Sequence, residues 1–288
     1  MATIVTGAAG FLGKALTDLL LARGDHVVAI DRRPVSSERA DGALTVLVAD
    51  LLGDDERVRE AFKAATSVFH LAGRPGVRDV IEAGGRWRDN VLAGSRVLAL
   101  TSPGTPMLIA SSSSVYGGAR RGRPSHEDDR LRPRGEYALS KAALERLCAG
   151  RQVTVVRPFT VAGEGQRPDM ALHLWLAAAR AHRPLRVYGS LDRTRDITDV
   201  RQVVAVMADL IGHPGVVNIG TGQGHSLREM IAAVAEATGT RPVVDVVPAS
   251  VHEPADSLAD TRRLADLLGW VPRTNLLDLV RRQADAGP

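Results

Sequence analysis

Tyr137 and Lys141 stand four residues apart in the stretch GEYALSKAALERL, Gly135–Leu147. On a helix this spacing puts both side chains on one face, one turn apart. A phenol ordinarily titrates near pKa ~10, and an ammonium beside it favours the phenolate. Tyr137 then becomes a group that can take up and return a proton in a reaction. The chain has three tyrosines and three lysines among 288 residues, so the pairing is uncommon. The plain alternative is a ring packed on its helix with a solvated lysine beside it.

A second constellation sits at the N-terminus. In TGAAGFLG, Thr6–Gly13, the glycines Gly7, Gly10 and Gly13 fall between an apolar run and a helical pattern. Gly7 permits a tight turn, Gly10 lets a pyrophosphate approach the backbone, and Gly13 lets helix and strand pack closely. Asp31 follows Gly10 by about 21 residues, at the end of the next apolar run, placed for the hydroxyls of an adenosine ribose. Strand, glycine loop, helix and acid together specify a dinucleotide site. Asp31 favours NAD, because the 2′-phosphate of NADP would meet its charge. Arg32 and Arg33 follow directly and could pair with such a phosphate, which keeps NADP possible. A positive nicotinamide ring would add to the pull on the Tyr137 proton.

Such residues need a frame. Short apolar runs alternate with helical patterns: Thr3–Thr6, a helix at Phe11–Ala22, His26–Asp31, Leu44–Asp50, a helix near Asp54–Ala65, Ser67–Ala72, a helix near Trp87–Leu100, Pro106–Ser112, the Tyr137 helix, and Val153–Pro158. Continuous apolar strands between helices mean a parallel sheet covered on both faces. The expected class is α/β, a Rossmann-type doubly wound sheet. Residues 1–158 form the dinucleotide domain, and residues 159–288 form a smaller α/β substrate lobe, partly interleaved with the sheet. In that lobe we expect helices at about Met170–His182, Val200–Ile211 and from Ser226, strands in LRVYG, GVVNIG and PVVDVV, and two short C-terminal helices. Ligands in such sheets bind beyond the carboxyl ends of the strands. SSSSVYGG, Ser111–Gly118, lies at one such end, where a hydroxyl could hold a sugar or carbonyl oxygen. Asp50 lies at another, on the adenine side, and HLAG, His70–Gly73, at a third, beside the pyrophosphate. Tyr116 and His70 read as structural.

Composition narrows the classes. Apolar residues make up 44%, charged residues 24%, and aromatic residues 3%, with a net charge of +4. Few aromatics argue against base-stacking platforms. The densest arginine cluster, Ala119–Gly135, is interleaved with Glu127, Asp128 and Asp129 and reads as a solvated loop, so no nucleic-acid partner is expected. No His, Cys and carboxylate set has metal-ligand spacing, and no metal is expected. Cys148 is the sole cysteine, which fits a reducing cytoplasm. No signal-like start and no membrane-length apolar run is present.

The chain resembles the extended short-chain dehydrogenase/reductase family, in its NAD-dependent nucleotide-sugar epimerase/dehydratase group, UDP-glucose 4-epimerase-like. The resemblance rests on TGAAGFLG, Asp31, Asp50, HLAG, Asn90 in DNVLAG, SSSSVYGG, YALSK, RPFTVAGEGQRPDM, RVYGSLDRTRD, VVNIGTG and LGWVP, and covers essentially the whole chain. It implies Ser112, Tyr137 and Lys141 as the catalytic set. It implies cofactor contacts from Gly7, Gly10, Phe11, Leu12, Gly13, Asp31, Arg32, Asp50, Leu51, Leu71, Ala72, Gly73, Asn90, Tyr137, Lys141 and Pro158. Substrate contacts would come from Val77, Ser112, Ser113, Thr160, Arg195 and Asp256, with Arg195 on a diphosphate. It also implies a homodimer through the helices at Trp87–Leu100 and Tyr137–Ala149.

Departures from the family pattern bear on the reaction. Dehydratases resembling this chain carry an Asp–Glu pair where Ser113 and Ser114 stand, and the sugar decarboxylases a Glu, so elimination and decarboxylation lack their proton carriers. The reductase–epimerases use a Cys and a His, and Cys148 does not match. The family's asparagine is Thr160 here, a tyrosine is Ala162, and a second diphosphate arginine is Glu253, for which His252 or another arginine could compensate, unless the substrate carries less phosphate. Three functions stay open: an NAD-dependent nucleotide-sugar 4-epimerase working through a transient 4-keto sugar; an NAD(P)H-dependent ketoreductase acting on a nucleotide 4-ketosugar or a secondary-metabolite ketone; and a catalytically idle dinucleotide sensor.

Overall fold

The computed structural model describes residues 2–35, 42–76, 84–119, 123–249 and 254–287. Val77, His252 and Glu253 lie outside the described residues. The strands are β1 (Ala2–Thr6), β2 (Val27–Asp31), β3 (Leu44–Val48), β4 (Ala65–His70), β5 (Met107–Ala110), β6 (Val153–Pro158), β7 (Thr160–Ala162), β8 (Leu185–Tyr188), β9 (Thr194–Asp199), β10 (Gly215–Ile219), β11 (Gly224–Ser226), β12 (Val244–Val247) and β13 (Asp256–Ser257). Two compact units emerge. One takes Met1–Val115, Arg130–Arg157 and Val204–Val217, the other Tyr116–Asp129, Pro158–Val203 and Asn218–Pro288.

The first unit is built on a seven-stranded parallel sheet of order β10-β6-β5-β4-β1-β2-β3, flanked by helices. Strand order reverses beside β1, where β4 and β2 flank it in parallel register. Every residue of β5 and β6 is buried, as strands covered on both faces require. Ile4, Ile30, Val68, Ile109 and Val155 from the strands pack with Phe62, Val97 and Leu144 from the helices. Edge strand β3 exposes Val46 and Val48.

Strand ends differ from the sequence expectation in a way that matters. β4 stops at His70 and β5 at Ala110, so Leu71–Gly73 and Ser111–Ser112 belong to the loops beyond. The helix expected at Trp87–Leu100 is interrupted. α-Helical turns at Gly85–Trp87 and Ala93–Leu100 flank a π-helical turn, Arg88–Leu92, closed by Ala93 N–H donating to the Arg88 carbonyl. The extra residue per turn carries Asp89 and Asn90 into buried positions.

In the second unit β7, β9, β11 and β13 form one sheet and β8 and β12 another. The short strands β7, β9, β11 and β13 were missed in the sequence, since runs of two to six largely polar residues give no period to detect. Its core gathers Leu172, Trp175, Leu185, Ile197, Met230, Val234 and Leu279. The helix Leu227–Thr238 starts at a capping box of Ser226 and Glu229 and stops at Gly239 in the left-handed conformation. The loop read as solvated is partly buried. Ser125 pairs with Ala259, and the Glu127 carboxylate accepts the Asn218 N–H at 2.9 Å, supplying a buried donor with its acceptor.

Candidate active site

Lys141 is not the solvated lysine of the plain alternative. It lies on the helix Gly135–Cys148 and is 5% exposed, and its Nζ donates to the Ala110 carbonyl at 2.8 Å. A solvated lysine would do neither. Burial holds its pKa down at about 8, against a smaller opposing pull from Glu145. Tyr137 is half-buried one turn earlier, and its carbonyl accepts the Ser140 hydroxyl at 2.8 Å.

Four elements meet at this lysine. Ala110 ends β5, and Ser112 lies two residues beyond it, its hydroxyl oxygen accepting the Ser114 N–H at 3.2 Å. Ser113 opens the short 3-10 turn Ser113–Tyr116, and no carboxylate stands at Ser113 or Ser114. A Cβ built on Gly73 would lie 3.3 Å from Lys141 Nζ and 2.7 Å from Asn90 Oδ1, so any side chain here would have to displace the Asn90 amide. Asn90, fully buried on the π-helical turn, accepts the Arg74 N–H at 2.6 Å and donates to Ser140 Oγ at 2.8 Å. It therefore pins the loop after β4 to the helix that carries Tyr137 and Lys141.

The strand end beneath Ser112 is held by residues the sequence reading did not single out. The Ser111 N–H donates to the Val156 carbonyl at 2.8 Å, and its hydroxyl donates to Glu145. Glu145, one turn beyond Lys141, takes two bonds from Arg157 of β6 at 2.9 and 2.7 Å, with both side chains under a tenth exposed. The repeat of four from Tyr137 through Lys141 to Glu145 was the available signal.

At the dinucleotide end, Gly7 has φ +72°, and a Cβ there would come within 2.6 Å of the Ala72 nitrogen. Gly13 packs its α-carbon onto the Gly7 carbonyl, where no side chain fits. Gly10 precedes the helix Phe11–Ala22, whose start has no side-chain cap and no acidic residue in its first turn. Its N–H groups and dipole are left to an anion. Asp31 ends β2 and accepts N–H groups from Ala9 at 3.1 Å and Arg33 at 2.9 Å, which fixes its carboxylate beside the glycine loop. Asp50 accepts the Leu52 N–H at 3.0 Å, and Leu51 is buried beside it. The Leu71 N–H donates to the Thr6 carbonyl at 3.1 Å, which draws Leu71 and Ala72 against β1. This cradle of small residues, free helix N–H groups and a fixed carboxylate fits a dinucleotide.

His70 is buried beneath it, with Nδ1 2.8 Å from Thr6 Oγ1; burial first, and the Lys141 charge second, hold its pKa down at about 3. Cys148 is buried with its thiol pushed up to about 12, mainly by desolvation, which removes it as a nucleophile or proton carrier. Tyr116 is buried and donates to Asn218 Oδ1 at 2.7 Å. Among the described residues no group of three or more His, Cys, Asp or Glu could hold a metal, and no helix is long and apolar enough to cross a membrane.

The second unit carries the remaining candidates. Thr160 opens β7 opposite Ile197 of β9. Arg195 of β9 donates to the carbonyls of Thr194 at 2.8 Å and of Ala255 and Pro254 at 3.0 Å. Asp256 of β13 accepts from the N–H and hydroxyl of Thr194 at 3.1 and 2.8 Å. Arg195 and Asp256 are thereby locked into one strand pairing. Pro158 ends β6 and is buried.

Sheet order, glycine loop and the buried lysine define a Rossmann-type dinucleotide enzyme of the extended short-chain dehydrogenase/reductase kind. A model of the NAD dependent epimerase/dehydratase family matches residues 3–220, and the chain belongs to that family. That family is NAD-dependent. The chain is similar to MoeE5, solved in complex with UDP-glucuronic acid and NAD, with 35% identity and a TM-score of 0.89 over 99% of this chain and 98% of that one. It is also similar to the UDP-glucose 4-epimerase of Thermus thermophilus solved with NAD, at 28% identity and a TM-score of 0.88, with 99% and 98% covered. The UDP-glucose 4-epimerase of Mycolicibacterium smegmatis is 30% identical over 309 residues, 99% of this chain and 98% of that protein.

Proposed function

We propose that the protein is a UDP-sugar 4-epimerase, with Tyr137 as its proton carrier. The observation that carries this reading is Lys141: a lysine buried one turn from Tyr137 and bonded to the strand end that leads to Ser112. Bound NAD would supply a reversible acceptor for the hydrogen at the sugar's C4. Tyr137 as phenolate removes the proton of the C4 hydroxyl and returns it. The Lys141 ammonium stabilises that phenolate, and the Ser112 hydroxyl holds the reacting oxygen. Pyrophosphate contacts are assigned to the main chain of Gly10, Phe11 and Leu12, the adenosine ribose to Asp31, and the adenine edge to Asp50 and Leu51. Leu71, Ala72, Gly73 and Pro158 would complete the cofactor contacts, and Asn90 shapes the loop among them. Arg195 is assigned the substrate diphosphate, with Ser113, Thr160 and Asp256 as further contacts. Serines at positions 113 and 114 have no carboxylate to drive elimination, which favours epimerisation over dehydration. The test is to denature the purified protein and identify what it releases. Retained NAD, at about one per chain, supports the epimerase, whereas cofactor-free protein that consumes added NADH or NADPH with a ketone supports the reductase.

The reading includes a cytoplasmic homodimer. Trp87, Leu92, Leu139 and Leu147 expose large apolar side chains on the Gly85–Leu100 stretch and the Gly135–Cys148 helix, the surface a second copy would cover. Light scattering at micromolar concentration should give twice the chain mass, and Leu139→Arg should halve it. A monomeric wild type would contradict the assignment.

A further inference from the structure

Three guanidinium groups converge on Asp89, whose side chain is 8% exposed on the π-helical turn. Arg32 donates from Nη1 and Nη2 at 3.3 and 3.1 Å. Arg74 approaches through Nε at 3.1 Å, and Arg88 donates through Nη1 at 2.9 Å. The other nitrogen of Arg88 goes to Asp50 at 2.7 Å. Two carboxylates thus hold three cations, and the cluster keeps a surplus positive charge. Arg32 is the residue directly after Asp31, where an arginine would accommodate a 2′-phosphate. Arg33, the other candidate, is turned to the Ala9 carbonyl at 3.0 Å, with its Nε 3.8 Å from Asp31.

We propose that Asp89 decides between NAD and NADP by holding the Arg32 guanidinium against the π-helical turn and so withholding it from a 2′-phosphate. The inference rests on the dinucleotide site described above and assigns a selectivity role to a residue outside the glycine loop and the ribose carboxylate. Releasing Arg32 would break two charge-assisted bonds and leave a buried carboxylate with less compensation, which makes the retention effective. The π-helical turn is what aims Asp89 inward. Asp31 repels the phosphate, and Asp89 removes the cation that could offset that repulsion. Both act in the same direction.

The test is fluorescence titration with NADH and NADPH of protein freed of retained nucleotide, in wild type, Asp89→Asn, Arg32→Ala and the double variant. Asparagine keeps the shape and one acceptor but not the charge. In Asp89→Asn the affinity for NADPH relative to NADH should rise about tenfold, the scale of one hydrogen bond to a charged group. Arg32→Ala alone should keep the wild-type ratio, and the double variant should return to it. An unchanged ratio in Asp89→Asn would overturn the proposal. So would a several-fold loss of relative NADPH affinity in Arg32→Ala, a surface change that decides the matter even if Asp89→Asn fails to fold. Wild-type protein that binds neither nucleotide would overturn the cofactor site and this inference with it.

Discussion

Lys141 Nζ and the carbonyl oxygen of Ala110 are 2.8 Å apart, and this bond ties the helix of Tyr137 to the end of β5 from which Ser112 extends. A lysine shut away from solvent is held by geometry, and burial brings its pKa to about 8. Its charge is therefore present at neutral pH and is lost just above it.

Stability should report that burial. Between about pH 8 and the ordinary 10.5 the unfolded chain binds the Lys141 proton and the folded chain does not. Unfolding free energy should rise with pH across this window, by about 1.4 kcal/mol per unit. Urea denaturation at stepped pH should show this rise in wild type relative to Lys141→Met. Parallel curves for the two proteins would mean that the lysine is solvated.

His70 acts at the other end of the scale. Its folded pKa of about 3 lies below the ordinary 6.5, so the unfolded chain binds more protons between these values. Stability should fall as pH drops from about 6.5 toward 3, again by about 1.4 kcal/mol per unit. His70→Gln should flatten this part of the wild-type stability curve, a difference that thermal melts from pH 7 to 4 would reveal.

Tyr137→Phe removes one oxygen and leaves the ring. Folding and NADH binding should be kept, while turnover falls by about 10²–10⁴, the usual contribution of acid–base catalysis. The acidic limb of the pH–rate profile, along which the phenolate takes up its proton, should vanish with it. Near-wild-type turnover with an unchanged profile would return Tyr137 to a packing role.

The Glu145–Arg157 pair should behave as a buried ion pair. Glu145→Leu strands a buried guanidinium and should cost about 3–5 kcal/mol, whereas Glu145→Leu with Arg157→Leu should cost markedly less. Urea denaturation of the two variants measures the difference. Equal losses would mean that the pair is not coupled.

The parallel sheet, the glycine loop and the Tyr137 helix were legible because each has a period or a spacing with a physical cause. The helix Phe11–Ala22 falls where its pattern places it. The π-helical turn at Arg88–Leu92 was not legible, since its residues carry the same polar and apolar types as an α-turn and the extra residue is set by packing. The Asp89 cluster depends on that turn and was hidden for the same reason. Glu145 and Arg157 lie 12 residues apart on different elements, and only the fold brings them together. The strand end of Ala110 and Ser111 was overrun in the sequence because serine continues an apolar run without marking where pairing stops.

The most direct measurement uses the protein as purified, with no added cofactor. UDP-glucose and UDP-glucuronate are supplied separately, and the configuration at C4 is followed by proton NMR. The account predicts that one of them converts to a mixture with its 4-epimer, at a steady final ratio reached from either side, with no net accumulation of reduced NAD. No change at C4 in either sugar, together with stoichiometric consumption of added NADH or NADPH in the presence of a ketone, would contradict it.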